Sequence, residues 1–125
     1  MNVVDSGAWL EYFAAGPNAS VFAPAIEKPE ALIVPTLSLY EVFTRVLQQQ
    51  GENDALHAVV AMQQGQVVEL GTPLALAAAR LSLAHGLPMA GSVILTTARA
   101  FDATLWTQDA DFEGLPGVNY RAARA

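Results

Sequence analysis

Apolar positions along the chain fall into short runs separated by longer stretches with helical spacing. Val3 and Val4 suit a buried strand, and Ala8, Trp9, Tyr12 and Phe13 then recur on one helical face until Gly16-Pro17-Asn18 ends the segment. A second amphipathic stretch carries Val21, Phe22, Ala25 and Ile26 and stops near Pro29. Ala31-Leu32-Ile33-Val34 reads as a fully apolar strand closed by Pro35-Thr36, before a helix bearing Leu39, Val42, Phe43, Val46 and Leu47. Gly51 closes that helix, and Asn53 is expected to cap the next, which runs to about Gln64. Val67 to Leu70 is a third strand, and Thr72-Pro73 reads as a cap followed by proline at the first helical position.

The alanine-rich helix from Pro73 to His85 is closed by Gly86, and Leu87-Pro88-Met89 breaks the chain before a helix from about Ala90 to Phe101. Thr104 to Thr107 is β-prone, turn residues follow at Gly114, Pro116 and Gly117, and Val118-Asn119-Tyr120 suits an edge strand. Short apolar strands alternating with longer helices predict an α/β fold, a three-layer sandwich whose short, mostly parallel central sheet is flanked by helices. At 125 residues this is expected to be a single domain, 1–125, with no repeat, linker or low-complexity segment.

Composition narrows the chemistry. The apolar share of 53% against 14% charged is high for a small soluble chain and predicts that some apolar surface meets a partner. The absence of cysteine removes disulfides and thiolate zinc sites, and His57 and His85 are not spaced as ligands. No apolar run approaches the roughly 18 residues of a membrane span, and the charged, early Asp5 argues against a signal peptide, so a cytoplasmic location is expected. A net charge of −6 opposes nucleic acid as a whole, and the cations Lys28, Arg45, Arg80, Arg99, Arg121 and Arg124 are scattered.

The acids have a local use. Asp5 follows the first strand directly, Glu41 lies early in the helix after the second, and Asp109 follows the Thr104–Thr107 strand. Each has a plainer role. Asp5 or Ser6 is a natural N-cap, Ser38-Leu39-Tyr40-Glu41 is a capping box, and Asp109 and Asp111 suit a turn. If the strands are parallel, however, the three acids meet at one edge of the sheet, where open α/β sheets bind ligands. Clustered carboxylates with oxygen-only donors suit Mg²⁺, or Mn²⁺, and such metals activate water and stabilise the leaving oxygen of a phosphodiester. Ser6 and Thr107 are candidates to hold a water or a phosphate oxygen there.

Four stretches, in order and spanning nearly the whole chain, carry a family resemblance: Val3-Val4-Asp5-Ser6-Gly7-Ala8, Ser38-Leu39-Tyr40-Glu41, Gly86-Leu87-Pro88-Met89-Ala90, and Thr107-Gln108-Asp109-Ala110-Asp111-Phe112. Together they resemble the PIN-domain ribonucleases of the VapC toxin type. The resemblance implies a Mg²⁺-dependent endoribonuclease that cuts cellular RNA, forms a homodimer, and is held inactive by a VapB-type antitoxin. It implies that Asp5, Glu41 and Asp109 are catalytic and metal-binding, with Thr107 as the accompanying hydroxyl.

One position departs. Where the family has Leu-Pro-x-Ala-Asp, this chain has Leu87-Pro88-Met89-Ala90-Gly91, so the family's third acid is missing at Gly91. Glycine supplies neither charge nor ligand, which implies a disabled copy in which Asp111 is at most a weak substitute; Gly91 would otherwise serve as an N-cap.

The rival reading is a non-catalytic PIN-fold protein that holds the antitoxin and, only through it, operator DNA. A phosphoacceptor receiver domain is disfavoured because Gly71-Thr72-Pro73 follows the third strand and Lys28 is the sole lysine. An Asp-x-Asp phosphatase is disfavoured by Gly7 at the second acid's place. For partner binding, Trp9, Tyr12, Phe13, Phe22 and the Tyr40–Phe43 helix offer more large apolar groups than one small sheet needs, and a groove between the first and third helices is expected to take an antitoxin helix or extended segment, with Trp9, Tyr12 and Phe43 as its contacts.

Overall fold

The computed structural model describes residues 1–124. In chain order the elements are β1 (Asn2–Val4), α1 (Ser6–Phe13), α2 (Ala19–Ile26), β2 (Leu32–Pro35), α3 (Thr36–Gln50), α4 (Glu52–Met62), β3 (Gln66–Val68), α5 (Thr72–His85), α6 (Met89–Ala100), β4 (Thr104–Thr107) and β5 (Val118–Tyr120). Single 3-10 turns lie at Pro29–Ala31 and Ala110–Phe112.

The five strands form one sheet in the order β3-β2-β1-β4-β5, and every pairing is parallel. The expected mostly parallel sheet is therefore wholly parallel, with β5 at its edge. Alternation along the strands divides the core in two. Val4, Leu32 and Val34 face Trp9, Phe22, Val42 and Met62 from the first four helices, whereas Val3, Ile33 and Leu105 face Ile94, Leu95 and Ala98 of α6. These are the three layers predicted from the pattern. No single helix among the described residues is long and apolar enough to cross a membrane.

Topology makes the crevice. The chain starts at the centre, builds β2 and β3 outward on one side, then returns past β1 to lay down β4 and β5 on the other. The order reverses between β1 and β4, and loops leaving adjacent strands in opposite directions open a gap at their carboxyl ends.

Three helix starts differ from the sequence expectations. α3 begins at Thr36, directly after the last strand residue, with Pro35 as its N-cap. Ser38 therefore falls inside the first turn, fully buried, its hydroxyl without a hydrogen-bond partner. The Ser38–Glu41 capping box does not form. α6 is capped by Pro88, so Gly91 is its third helical residue and not a cap. Gly51, not Asn53, caps α4. In each case the strand or loop hands over to the helix earlier than the side-chain signal suggests, because proline or glycine already supplies the extended or left-handed backbone the entry needs.

Candidate active site

Asp5 stands between β1 and α1. Its backbone N–H donates to the Trp106 carbonyl at 2.9 Å, carrying the β1–β4 ladder one step beyond the strand. Its side chain caps α1, accepting from Ser6 N through Oδ1 at 2.9 Å. Capping and crevice roles therefore coexist, since Oδ2 accepts from Thr107 Oγ1 at 2.9 Å. Thr107 is fully buried, and its hydroxyl in turn accepts from Asp109 N at 2.9 Å. One threonine thus fixes both the Asp5 carboxylate and the start of the loop that carries Asp109.

Freed from the capping box, Glu41 turns to α1 and accepts from Ser6 Oγ through Oε1 at 2.7 Å. Asp109 caps the 3-10 turn, accepting from Asp111 N through Oδ1 at 2.9 Å. Asp5, Ser6, Glu41, Gly91, Asp109 and Asp111 all line one cavity of about 350 Å³.

The electrostatics of Asp5 follow from its place. Burial pushes its carboxyl up to about 6; the hydrogen bonds from Thr107 and Ser6 N act the other way, and the negative charges of Asp109 and Glu41 add smaller upward pushes. Among the described residues no three His, Cys, Asp or Glu side chains stand close enough to form a ligand cluster by themselves. The donor chemistry nevertheless suits a hard cation. Asp5 keeps a free lone pair on each oxygen, Glu41 and Asp109 are each held through one oxygen, and Mg²⁺ commonly uses one or two carboxylates and keeps several waters.

Gly91, where the sequence resemblance implies a missing acid, lies on the wall of the cavity. A Cβ built there comes within 3.0 Å of Phe112 Cζ, and Phe112 is buried in the second core cluster. Glycine here lets the ring close against the helix.

The expected partner contacts divide. Trp9 is 1% exposed and stacks on Phe13 inside the core, which corrects its assignment as a partner contact: its ring is already used by the fold. Tyr12 donates to Glu27 Oε2 at 2.7 Å, clamping α1 to the end of α2. Phe43 is half-buried against the first core cluster. The groove between the first and third helices does exist, extended by α4, and the expected Phe13 lines it, together with Leu10, Arg45, Val46, His57 and Ala58 among others, whereas Phe22 is fully buried in the core and takes no part.

Two residues of this region carry no signal in the sequence. Gln108 lies between Thr107 and Asp109 and lines the acidic cavity. Asn18, read only as a helix terminator, is fully buried: Nδ2 donates to Gln108 Oε1 at 3.2 Å and to the Ala122 carbonyl at 2.9 Å, and Oδ1 accepts from Arg124 Nε at 3.0 Å. Nothing local in the sequence links positions that far apart.

A PIN-domain family model matches residues 3–118. The chain belongs to the PIN-domain family. Solved structures agree on the fold. A chain of a toxin–antitoxin complex from Klebsiella pneumoniae superposes with a TM-score of 0.81 at 20% identity, covering 95% of this chain and 96% of that one. Mycobacterium tuberculosis VapC20, a sarcin-ricin loop cleaving toxin, gives 0.77 at 17%, covering 93% and 95%. A chain of the DNA-bound VapBC from Salmonella typhimurium gives 0.71 at 14%, covering 98% of both. At these identities the likeness is one of fold, and no curated protein matches in sequence. The PIN-domain fold accounts for the parallel sheet and the helices on both its faces.

Proposed function

We propose that this PIN domain is an endoribonuclease toxin of the VapC type, dependent on Mg²⁺ or Mn²⁺ and impaired by Gly91. The observation that carries the reading is the convergence of Asp5, Glu41 and Asp109, from three distant stretches, on one cavity at the sheet's carboxyl edge. Asp5, Glu41 and Asp109 would hold the metal, which when bound neutralises their mutual repulsion, polarises a phosphodiester and lowers the pKa of water. Ser6 and Thr107 keep Glu41 and Asp5 in place, and Asp109 is steadied by the turn it caps. Asp111 lines the cavity but is exposed.

A partner is part of the proposal. The α1–α3–α4 groove, about 510 Å³ with an apolar floor and the polar rim of Arg45, Gln49 and His57, suits a segment of a VapB-type antitoxin, as its fold neighbours include toxin–antitoxin complexes. Operator DNA would be reached only through that partner, and the setting is the cytoplasm, where cellular RNA is. The exposed apolar groups Leu70, Leu76, Leu83 and Met89 on and beside α5 are the face proposed for a homodimer.

Gly91 favours a second reading, a PIN-fold protein that binds the antitoxin without cutting RNA. The two readings separate in an RNA-cleavage assay with Mg²⁺ or Mn²⁺ on the chain, its Gly91→Asp variant, and the Gly91→Asp, Asp5→Ala double variant. Cleavage gained with Gly91→Asp and lost with Asp5→Ala supports the impaired nuclease. Three inert proteins on broad RNA pools leave the binding reading.

A further inference from the structure

Beside the acidic cavity lies a second one, of about 390 Å³, that the carboxylates do not explain. Ser6, Gly7 and Glu41 form the wall shared by the two. Beyond that wall the lining is Tyr40, Thr44, Arg45 and Gln48 from one face of α3, with Leu10 of α1 opposite. At Gly7, Leu10 and Arg45 the same space runs on into the α1–α3–α4 groove. A continuous track therefore leaves the carboxylates along α3.

Its lining has a chemical character of its own. Tyr40 immediately precedes Glu41, yet its side chain is left 69% exposed, while Ser38 and Val42 of the same helix are fully buried. The Tyr40 hydroxyl makes no hydrogen bond among the described residues, whereas its backbone belongs to the helix and its carbonyl also accepts from Thr44 Oγ1 at 2.7 Å. Arg45 follows Glu41 by one helical turn, so its stem starts about 6 Å further along the same face. Gly7 forms part of the floor, and a Cβ there would meet nothing within 4 Å, so no side chain rises into the passage.

An exposed aromatic face and a guanidinium, spaced along a groove that starts at a carboxylate site, are the elements that hold single-stranded nucleic acid. Every base offers a π-face for stacking, and a guanidinium pairs a phosphate through two parallel hydrogen bonds. In a chain of net charge −6 such a contact has to be local, because the overall field repels the ligand. A duplex would not fit the arrangement, since its base faces are already stacked. Among the described residues Leu10 is the only aliphatic side chain lining this part of the track, which favours a nucleotide over an apolar peptide anchor.

We propose that Tyr40 and Arg45 bind the nucleotide next to the phosphate at the carboxylates: Tyr40 stacks its base, Arg45 pairs its phosphate, and the substrate is single-stranded RNA entering along α3. This inference rests on the nuclease reading of the acidic cavity and adds the residues that would position its substrate.

The test is the fluorescence anisotropy of a labelled, mixed-sequence single-stranded oligoribonucleotide with Mg²⁺ present, titrated at several salt concentrations. Tyr40→Ala is expected to weaken binding by about five- to a hundredfold, with Tyr40→Trp restoring it. Arg45→Gln is expected to lower the salt slope by about 0.7, the share of one phosphate on a single strand, with Arg45→Lys keeping it. Both side chains are exposed, so the melting temperatures should not change. RNA binding by the chain that neither Tyr40→Ala nor Arg45→Gln alters overturns the inference, leaves the nuclease reading intact and assigns the track to a protein segment. No RNA binding by the chain at all, with Gly91→Asp equally silent, overturns both.

Discussion

Ser6 Oγ and Glu41 Oε1 lie 2.7 Å apart although the residues are 35 positions apart in sequence. The bond joins the first residue of α1 to the first turns of α3 and sets how far Glu41 stands from Asp5. Hydrogen bonds to charged groups are worth about 1.5–3 kcal/mol, and partial exposure puts this one at the low end. Ser6→Ala should therefore cost about 1.5 kcal/mol in urea unfolding. In a Gly91→Asp background it should also reduce RNA cleavage while Ser6→Thr keeps it; equal cleavage by all three would show that Glu41 needs no such tether.

Gly91 and Phe112 are coupled through a 3.0 Å approach between a would-be Cβ and the ring. Any larger residue at 91 must shift the ring by a few tenths of an ångström. Overpacking of this kind typically costs about 1–3 kcal/mol. Against this stand the gain from replacing a helical glycine and the favour of a helix N-terminus for an acid, so the coupling is read from the pair: Gly91→Asp should be better tolerated in a Phe112→Leu background than in the chain. Additive effects in that double-mutant cycle would mean the ring gives way freely.

Asp5 makes stability depend on pH. Its carboxyl titrates at about 6 in the fold, chiefly because it is buried, against its usual 3.8. Between those values the folded state binds more protons than the unfolded chain, so stability falls as pH rises and levels off above about 6. A shift of this size corresponds to roughly 3 kcal/mol. With chelator present, Asp5→Asn should be the more stable protein at neutral pH and lose that advantage near pH 4. An advantage that does not change with pH would contradict the burial argument.

Metal binding should be visible without catalysis. A ligand at about a hundred times its dissociation constant adds about 2.7 kcal/mol to folding. Mg²⁺ or Mn²⁺ should raise the melting temperature of the chain, with a smaller rise for Asp109→Asn and for Glu41→Gln. A melting temperature indifferent to both cations would count against the metal-dependent reading.

Leu83 is 89% exposed on α5, beside the apolar cavity formed with α6. If that face joins two copies, Leu83→Glu should convert a dimer into a monomer on size-exclusion chromatography with the fold retained, because the side chain takes no part in either core cluster. An unchanged elution volume would place any dimer contact elsewhere.

Much of the fold was legible because burial on both faces of a parallel sheet leaves short, continuous apolar runs. Leu32-Ile33-Val34 and Val3-Val4 announce themselves in this way, and both lie where expected. Helix entries are less legible. Ser38 and Asn53 carry good capping side chains, but Pro35 and Gly51 fix the backbone first. The third strand was expected at Val67–Leu70 and runs from Gln66 to Val68, because pairing with Ile33, Val34 and Pro35 sets its length. Trp9 looked like a partner contact, since exposure cannot be read from a helical stripe that the sheet then covers.

By itself the sequence determined the alternation of strands and helices and the residues Asp5, Glu41 and Asp109, each placed by its distance from a recognisable strand. It also showed glycine, with neither charge nor ligand, at position 91 after Leu87-Pro88-Met89-Ala90. Tertiary structure alone decided that β1 and β4 are neighbours, which brings Asp5 to Thr107 and Asp109 across a hundred residues. It alone decided that Phe112 closes against Gly91, that Asn18 ties the loop after α1 to Gln108, and that Tyr40 is left in the open beside Glu41. The physical reason is range. Periodicity and capping act over a few residues, whereas strand order and side-chain contact depend on loop closures that no local pattern encodes.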